Sequence, residues 1–575
     1  MRADYMRYRA RMSKSTPTIS PSERSFWAWG YDAALPAAAE RQALAQGAAA
    51  LLGVAPPPPL TPPTLADVVL PPPHLAPPDT LSDIATDSPL ERTLHCYGKS
   101  FPDQLRGFAA DFRSPPDFVL LPHNADDIAR SLTACAAARI AVVPFGGGTS
   151  VVGGVESIRP AGYAGVAALD LRRLDRLLAV DPVSRAAHIQ AGATGPAIES
   201  QLLPHGLTLR HFPQSCEFST LGGWLATHAG GHFATVYTHI DDLVQAVRVV
   251  TPRGDMQTRR LPASGAGPSA DRLFLGSEGT LGVFCDAWLR VQPRPTLRSS
   301  ASVVFPDMPT AIAATQAVAQ SGLFPSNCRL LDAGEATLAG AGSQPVLLLG
   351  FESADRPVRD RLESALALAV SHGGQCPAGA QHRTGDSPRR DGGAQGEAWR
   401  QAFLAAPYRQ GALLCGGLIA DTFETACTWQ AFPALSRAIR QAVRAAMVQA
   451  CGAGHLMMRF THVYPDGPAP YFTFLAPLPS AALGLRDADR DRRDAAVGAA
   501  LAAWTTIKRA AGDAIAAHGG TITHHHAVGR THLPWYRQER PPLFGQALAA
   551  VKRTLDPQGV LNPGVLLDEV QDHEP

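Results

Sequence analysis

The chain has 575 residues, 45% of them hydrophobic, with 51 Lys and Arg against 50 Asp and Glu and a net charge of +1. That length implies two or more globular domains, and the near-neutral balance excludes the strong field of a nucleic-acid or anionic-membrane binder. Nine scattered cysteines without a C-x-x-C exclude a disulfide framework and a zinc ribbon and suit a reducing cytoplasm, and no apolar run reaches transmembrane length.

The first fifteen residues are basic but lack the apolar core of a signal peptide. They read as a mobile tail, or as an over-extended start ahead of Met12. The end, Asp572-His573-Glu574-Pro575, is no peroxisomal address. Trp27-Ala28-Trp29-Gly30-Tyr31 supplies aromatics expected to dock on the body of the protein. Pro56 to Pro59, Pro62-Pro63, Pro71 to Pro73 and Pro77-Pro78 then make a polyproline-like stretch. Residues 1–90, with little periodic pattern, are expected to form an N-terminal arm.

Residues 91–295 alternate short strands, turns and helices. Phe118 to Leu121 reads as a strand, and Asp126 to Ala137 as a helix capped by Asn124. The strand Ile140 to Phe145, which includes Pro144, runs into Gly146, Gly147, Gly148, Thr149 and Ser150. Glycine permits close backbone approach, and successive N–H groups in such a turn make an anion-binding concavity. No Lys-Ser/Thr pair closes the turn, so it is not a Walker A loop. Val166 to Leu171 is a further strand; Leu177 to Val180 with Ala186 to Gln190, and Val244 to Thr251 with Met256 to Arg259, read as hairpins. Two more turns rich in glycine and hydroxyl groups follow the first. One is His211-Phe212-Pro213-Gln214-Ser215-Cys216-Glu217-Phe218-Ser219-Thr220-Leu221-Gly222-Gly223-Trp224. The other is Gly276-Ser277-Glu278-Gly279-Thr280-Leu281-Gly282-Val283. Three such turns can converge on one long diphosphate ligand. The pattern is α+β, with the ligand between two sub-domains, rather than a doubly wound sheet.

Residues 296–480 are expected to form a cap domain. It contains strands near Ser299 to Phe305 and Val346 to Phe351, a helix Arg359 to Ser371, and a mobile glycine-rich loop from Gly379 to Gly396. Tyr471 lies in the alternating strand Pro470 to Phe474, sharing a face with Thr473 while Phe472 and Phe474 face away. It reads either as an aromatic packed at a strand edge or as an acid/base phenol needing a nearby cation. Residues 481–575 are expected to be a helical segment completing cap and ligand site, in which Asp487 to Asp494 starts an exposed helix. His524, His525 and His526 sit in a strand-like stretch from Thr521 to Ala527, with His524 and His526 on one side and His525 on the other. A metal site, a polar rim and an acid/base cluster are all open for them. Arg409 and Arg329 are lone arginines near apolar runs, either helix-end charges or bidentate anion ligands.

The three turns in this order resemble the FAD-binding domain of the vanillyl-alcohol oxidase/p-cresol methylhydroxylase superfamily. Within it, the chain resembles alkyldihydroxyacetonephosphate synthases over nearly its full length. The likeness lies in Trp27 to Tyr31, Glu217-Phe218-Ser219-Thr220-Leu221-Gly222-Gly223-Trp224, Phe423-Glu424-Thr425-Ala426 and His524-His525-His526-Ala527-Val528-Gly529. The resemblance implies a redox-neutral, FAD-dependent exchange of the acyl chain of acyl-dihydroxyacetone phosphate for a fatty alcohol. It also implies lipid-like substrates, and it allows a peripheral membrane contact and a homodimer. It implies Tyr471 as the acid/base, assisted by His211, His524, His525 and His526, with Arg409 on the phosphate and Arg329 in support. FAD contacts would come from Pro144 to Ser150, Gln214 to Thr220, Thr227, His228, Ala229 and Gly230, and from Glu278 to Phe284. With no histidine in the first turn, FAD is expected to be non-covalent, and no metal is expected. Gln214 stands where the family usually has Asp, Thr238-His239 replaces Gly-Asn, and Arg409 falls one residue out of the family spacing. The alternative is an FAD-linked oxidase or dehydrogenase of a D-2-hydroxy acid. Those enzymes carry H-x-G-D-G-N-x-H and E-H-G-I-G; here the first becomes His462 to Gly467 followed by Tyr471, and the second puts His525 in place of Glu.

Overall fold

The structure is a computed structural model and describes residues 24–233, 239–385 and 393–567. Thr238 and part of the segment from Gly379 to Gly396 lie outside the described residues. The architecture is α+β, with three main sheets.

The first sheet holds β1 (Ala85–Thr86), β2 (Phe118–Leu120), β3 (Ile140–Phe145) and β4 (Gly165–Asp170), in the order β1-β2-β4-β3. β2, β3 and β4 are parallel, and their almost wholly apolar sequences match burial on both faces. The helix Ala125–Ala137 precedes β3, and Asn124 accepts the Asp127 N–H at 2.9 Å as its N-cap. Leu561 from the C-terminal segment bridges to Val142 of β3.

The second sheet is antiparallel: β5 (Leu177–Asp181), β6 (Ala186–Gln190), β8 (Val244–Thr251), β9 (Gly254–Gln257) and β10 (Val283–Arg290), ordered β5-β6-β10-β8-β9. Both expected hairpins are present. A short ribbon, β7 (Leu207–Thr208) with β11 (Gln292–Pro293), accompanies it. The third sheet has seven antiparallel strands. They are β12 (Leu297–Val304), β13 (Asn327–Leu331), β14 (Val346–Ser353), β15 (Gln381–Thr384), β16 (Leu418–Glu424), β17 (His455–Val463) and β18 (Pro468–Pro477), ordered β15-β12-β14-β13-β17-β18-β16. The helices Met308–Gln320, Arg359–Ser371, Phe432–Cys451 and Arg490–Ala517 contribute to its core, where Phe472 and Phe474 are fully buried.

Three expectations need correction. The N-terminal arm contains a 15-residue helix, Ala38–Leu52. Its alanines favour helix intrinsically, but they surround the axis and leave no apolar stripe to read. The glycine-rich segment expected as a loop includes β15 and the start of a helix, Gly393–Cys415. The stretch Thr521 to Ala527 is not a strand, for a reason given below. Trp27 docks as expected, buried with its ring centroid 5.2 Å from that of Phe108.

Candidate active site

The first two glycine-rich turns touch. A Cβ on Gly146 would lie 2.3 Å from Thr220 Oγ1, and one on Gly147 would lie 2.0 Å from the Phe218 carbonyl oxygen. Only glycine allows that approach. The third turn is tied to the histidine segment: Glu278 accepts the N–H groups of Val528 and Gly529 at 2.9 and 2.8 Å. Burial pushes the Glu278 carboxyl up to about 7.

One cavity of about 500 Å³ joins these turns to the seven-stranded sheet. From the expected cofactor residues it is lined by Pro144, Phe145, Gly146, Gly147, Gly148, Thr149, Ser150, Gln214, Ser215, Ser219, Thr220, Thr227, Ala229, Gly230, Glu278, Gly279, Gly282, Val283 and Phe284. Cys216, Glu217, Phe218, His228, Thr280 and Leu281 stand behind them. Phe218 packs on Tyr31, Glu217 accepts from Tyr408 at 3.4 Å, and Leu281 is fully buried. Gln214 donates to the Phe403 carbonyl at 3.1 Å and so links its turn to the Gly393–Cys415 helix.

Tyr471, His525, His526 and Arg409 also line the cavity. Tyr471 and Thr473 share the cavity face of β18, as the alternation requires. The Tyr471 hydroxyl donates to Thr422 Oγ1 at 2.9 Å. Its ring lies 6.0 Å from that of His525 and 5.4 Å from that of His526. Burial raises the phenol to about 12, opposed by the guanidinium of Arg459. Arg409 has no hydrogen-bond or ion-pair partner among the described residues. Burial lowers its proton affinity.

Glu424, buried at the end of β16, explains why the histidine stretch is not a strand. Its Oε1 accepts the backbone N–H groups of His524, His525 and His526 at 3.1, 2.7 and 2.7 Å, and the Thr523 hydroxyl at 3.0 Å. Consecutive N–H groups of a strand point in opposite directions, so one acceptor cannot collect three of them. His525 Nδ1 lies 2.5 Å from Glu424 Oε2, and His526 Nδ1 lies 3.8 Å from Oε1. Despite burial, the imidazoles around it hold the Glu424 carboxyl well below its usual range. His525 and His526 therefore face the same carboxylate, correcting the expected split. His524 turns the other way, its Nε2 2.8 Å from the Tyr464 hydroxyl. Burial pushes His526 down to about 3, favouring neutral imidazole.

Besides His524, two expected catalytic or substrate-binding residues lie off the cavity lining. His211 is buried against Trp224, ring centroids 5.1 Å apart, and burial pushes it down to about 3. Arg329 is fully buried against the stacked rings of Trp399 and Phe403, 4.8 and 5.0 Å from their centroids. Its Nη2 donates to the His232 carbonyl at 3.4 Å, while Nε and Nη1 have no hydrogen-bond partner among the described residues. Residues not anticipated include Glu424, whose one signal was its place in Phe423-Glu424-Thr425-Ala426, and the cavity-lining Arg459 and Glu335. Donor atoms of His462, His524 and His525, and of Glu424, His525 and His526, cluster within 4.8 Å. Several of these atoms are already shared among themselves: His524 Nδ1 lies 3.1 Å from His525 Nδ1.

The same cavity is also lined by apolar residues of the helices Ala38–Leu52, Ala333–Ala339 and Gly393–Cys415, among them Leu44, Ala48, Leu338, Ala402, Ala406 and Leu413. Leu338 and Leu51 stand at exposed positions on this lining. No helix among the described residues is long and apolar enough to cross a membrane.

Residues 116–259 match the family model for an FAD-binding domain, and residues 294–566 match that for the C-terminal domain of FAD-linked oxidases. The chain is 28% identical to alkyldihydroxyacetonephosphate synthase of Dictyostelium discoideum, over 86% of this chain and 80% of that protein. It is 25% identical to a glycolate oxidase subunit of Bacillus subtilis, over 79% and 89%. A solved alkyldihydroxyacetonephosphate synthase superposes with a TM-score of 0.74 at 23% identity, covering 95% of this chain and 99% of that one. FAD is the cofactor, and the glycine cradle, too tight for any Cβ and open to a deep cavity, fits it. The chain is an alkyldihydroxyacetonephosphate synthase-like flavoprotein that joins an FAD-binding domain to a C-terminal domain of FAD-linked oxidases.

Proposed function

We propose that the protein is an FAD-dependent alkylglycerone-phosphate synthase. It exchanges the acyl chain of acyl-dihydroxyacetone phosphate for a fatty alcohol, giving alkyl-dihydroxyacetone phosphate and a fatty carboxylate plus one proton. One observation carries this reading: a single cavity is lined by the glycine turns, by Tyr471, His525, His526 and Arg409, which has no partner among the described residues, and by apolar residues of three helices. FAD, when bound, supplies an electron-accepting ring that ends the exchange in its starting oxidation state.

Tyr471 takes the proton from C1 of the substrate and returns it to the same carbon. His525 and His526, kept in place by Glu424, relay the proton lost by the alcohol hydroxyl. Arg409, a cation with no partner among the described residues, binds the phosphate. Arg329 and His211 act behind the lining, supporting the walls of the site. The gallery of Leu44, Ala48 and Ala402 accepts the alkyl chain and excludes water. FAD is held non-covalently, since the first turn has no imidazole. The exposed Leu51 and Leu338 suit contact with a lipid surface, and the free thiols suit a cytoplasmic setting.

The D-2-hydroxy-acid reading has support in the likeness to the glycolate oxidase subunit. It is weakened by Tyr471 and His525 standing where that group's metal-site residues would be. The test is incubation with palmitoyl-dihydroxyacetone phosphate and labelled hexadecanol. Labelled ether product supports the synthase. Its absence, with flavin bleaching by a D-2-hydroxy acid under anaerobic conditions, supports the oxidase.

A further inference from the structure

Tyr471 occupies the middle of one rung of the seven-stranded sheet. Its cross-strand neighbours are Glu424 on β16 and Arg459 on β17. Directly opposed residues in antiparallel strands place their Cβ atoms about 4.5–5.5 Å apart on one face. A carboxylate, a phenol and a guanidinium therefore stand side by side. The Arg459 guanidinium lies over the phenol, 4.0 Å from the ring centroid. It is fixed from beyond by Glu335, whose oxygens lie 3.1 and 3.3 Å from Nη1. Glu335 Oε1 also accepts the Thr473 hydroxyl at 2.6 Å, so the same carboxylate clamps β18 next to Tyr471. Tyr471, Arg459, Glu335 and Thr473 all line the cavity.

We propose that Arg459, held by Glu335, is a positioning residue that readies the Tyr471 hydroxyl to release and retake a proton. This inference rests on the acid/base role proposed for Tyr471. In that step the Tyr471 phenolate takes the proton, so the substrate C–H bond breaks as the tyrosine O–H bond forms; the reverse transfer re-forms the C–H bond and breaks the O–H bond. Burial strongly favours the protonated phenol, and a cation within a few ångströms is the natural remedy. The other charged or titratable groups around the phenol do not provide it. Glu424 and Asp421, both on β16, favour the protonated form. His526, on the facing loop, is kept neutral by burial, and His525 is engaged with Glu424. Lys508, from the helix Arg490–Ala517, is spent on the Thr422 carbonyl at 2.7 Å. Arg329 bears on Arg459 rather than on the phenol.

The test places a fluorinated tyrosine at position 471 of the FAD-loaded protein, where its own ¹⁹F signal reports its ionisation. Arg459→Met is expected to raise that titration by about one unit or more, and Arg459→Lys to restore part of the shift. Glu335→Gln, which frees the guanidinium from its counter-ion, is expected to lower it. A pair that served packing alone would give no opposed shifts from its two halves. Unchanged midpoints, or movement in the same direction in both variants, would overturn the inference. Lack of ether product from the wild type would instead overturn the proposed reaction and leave the titration readable.

Discussion

Gly147→Ala tests the cofactor cradle at its tightest point. The new Cβ would lie 2.0 Å from the Phe218 carbonyl oxygen and 2.7 Å from the carbonyl carbon. Ordinary C···O contacts are about 3.3–3.6 Å, so one of the two turns must retreat by about 1.3 Å. The obstacle is backbone, held in its own turn by the Phe218 N–H bond to the Ser215 carbonyl at 2.8 Å, so no side-chain rotation relieves it. A misplacement of about 1 Å in a preorganised site costs on the order of 100-fold. FAD affinity is therefore expected to fall about 10- to 100-fold, or about 1.4–2.8 kcal/mol. The assay is quenching of flavin fluorescence as FAD is titrated into apoprotein, with circular dichroism to show an intact fold. Gly498→Ala is the control: its Cβ would meet nothing within 4 Å, and binding should not change. Wild-type affinity in Gly147→Ala would refute the cradle.

Tyr471→Phe keeps the ring and removes only the hydroxyl, so labelled ether formation should stop while FAD affinity stays at the wild-type value. Arg409→Met should raise KM for the phosphate-bearing substrate at least tenfold, consistent with loss of a charge-assisted contact of about 1.5–3 kcal/mol, and phosphate-free analogues should not feel the change. Glu424→Gln should destabilise the protein by about 1–3 kcal/mol, since a neutral amide accepts the gathered N–H groups less strongly than the buried carboxylate does. The folded-state proton affinity of Glu424 is depressed. Its contribution is therefore complete above the unfolded value near 4.5 and is lost as pH falls toward the folded one, and thermal unfolding of the variant should lose that acid-side slope. Gly47→Phe should narrow the gallery and penalise hexadecanol more than octanol, read as the ratio of kcat/KM.

What the sequence made legible followed short-range rules. The apolar run of β3 ending in three glycines, the Asn124 cap and the period-two placement of Tyr471 with Thr473 all depend on neighbours within a few residues. The Ala38–Leu52 helix escaped because alanine on every side favours helix without marking a face. The histidine triplet was misread because its conformation is dictated by Glu424, about a hundred residues earlier in the chain, which gathers three successive N–H groups. Arg459 and Glu335 gave no signal at all. Their pairing spans 124 residues and arises only when β17 and β18 lie side by side and the Ala333–Ala339 helix packs over them. Arg329, read as either a helix-end charge or an anion ligand, packs against the stacked rings of Trp399 and Phe403, a contact no local pattern announces.

The most direct measurement follows both product and flavin during one anaerobic reaction with palmitoyl-dihydroxyacetone phosphate and ¹⁸O-labelled hexadecanol. A redox-neutral exchange built around Tyr471 should give alkyl-dihydroxyacetone phosphate whose ether oxygen carries the label, with the flavin oxidised at the end. No labelled ether, together with a flavin that stays bleached after addition of a D-2-hydroxy acid, would contradict it.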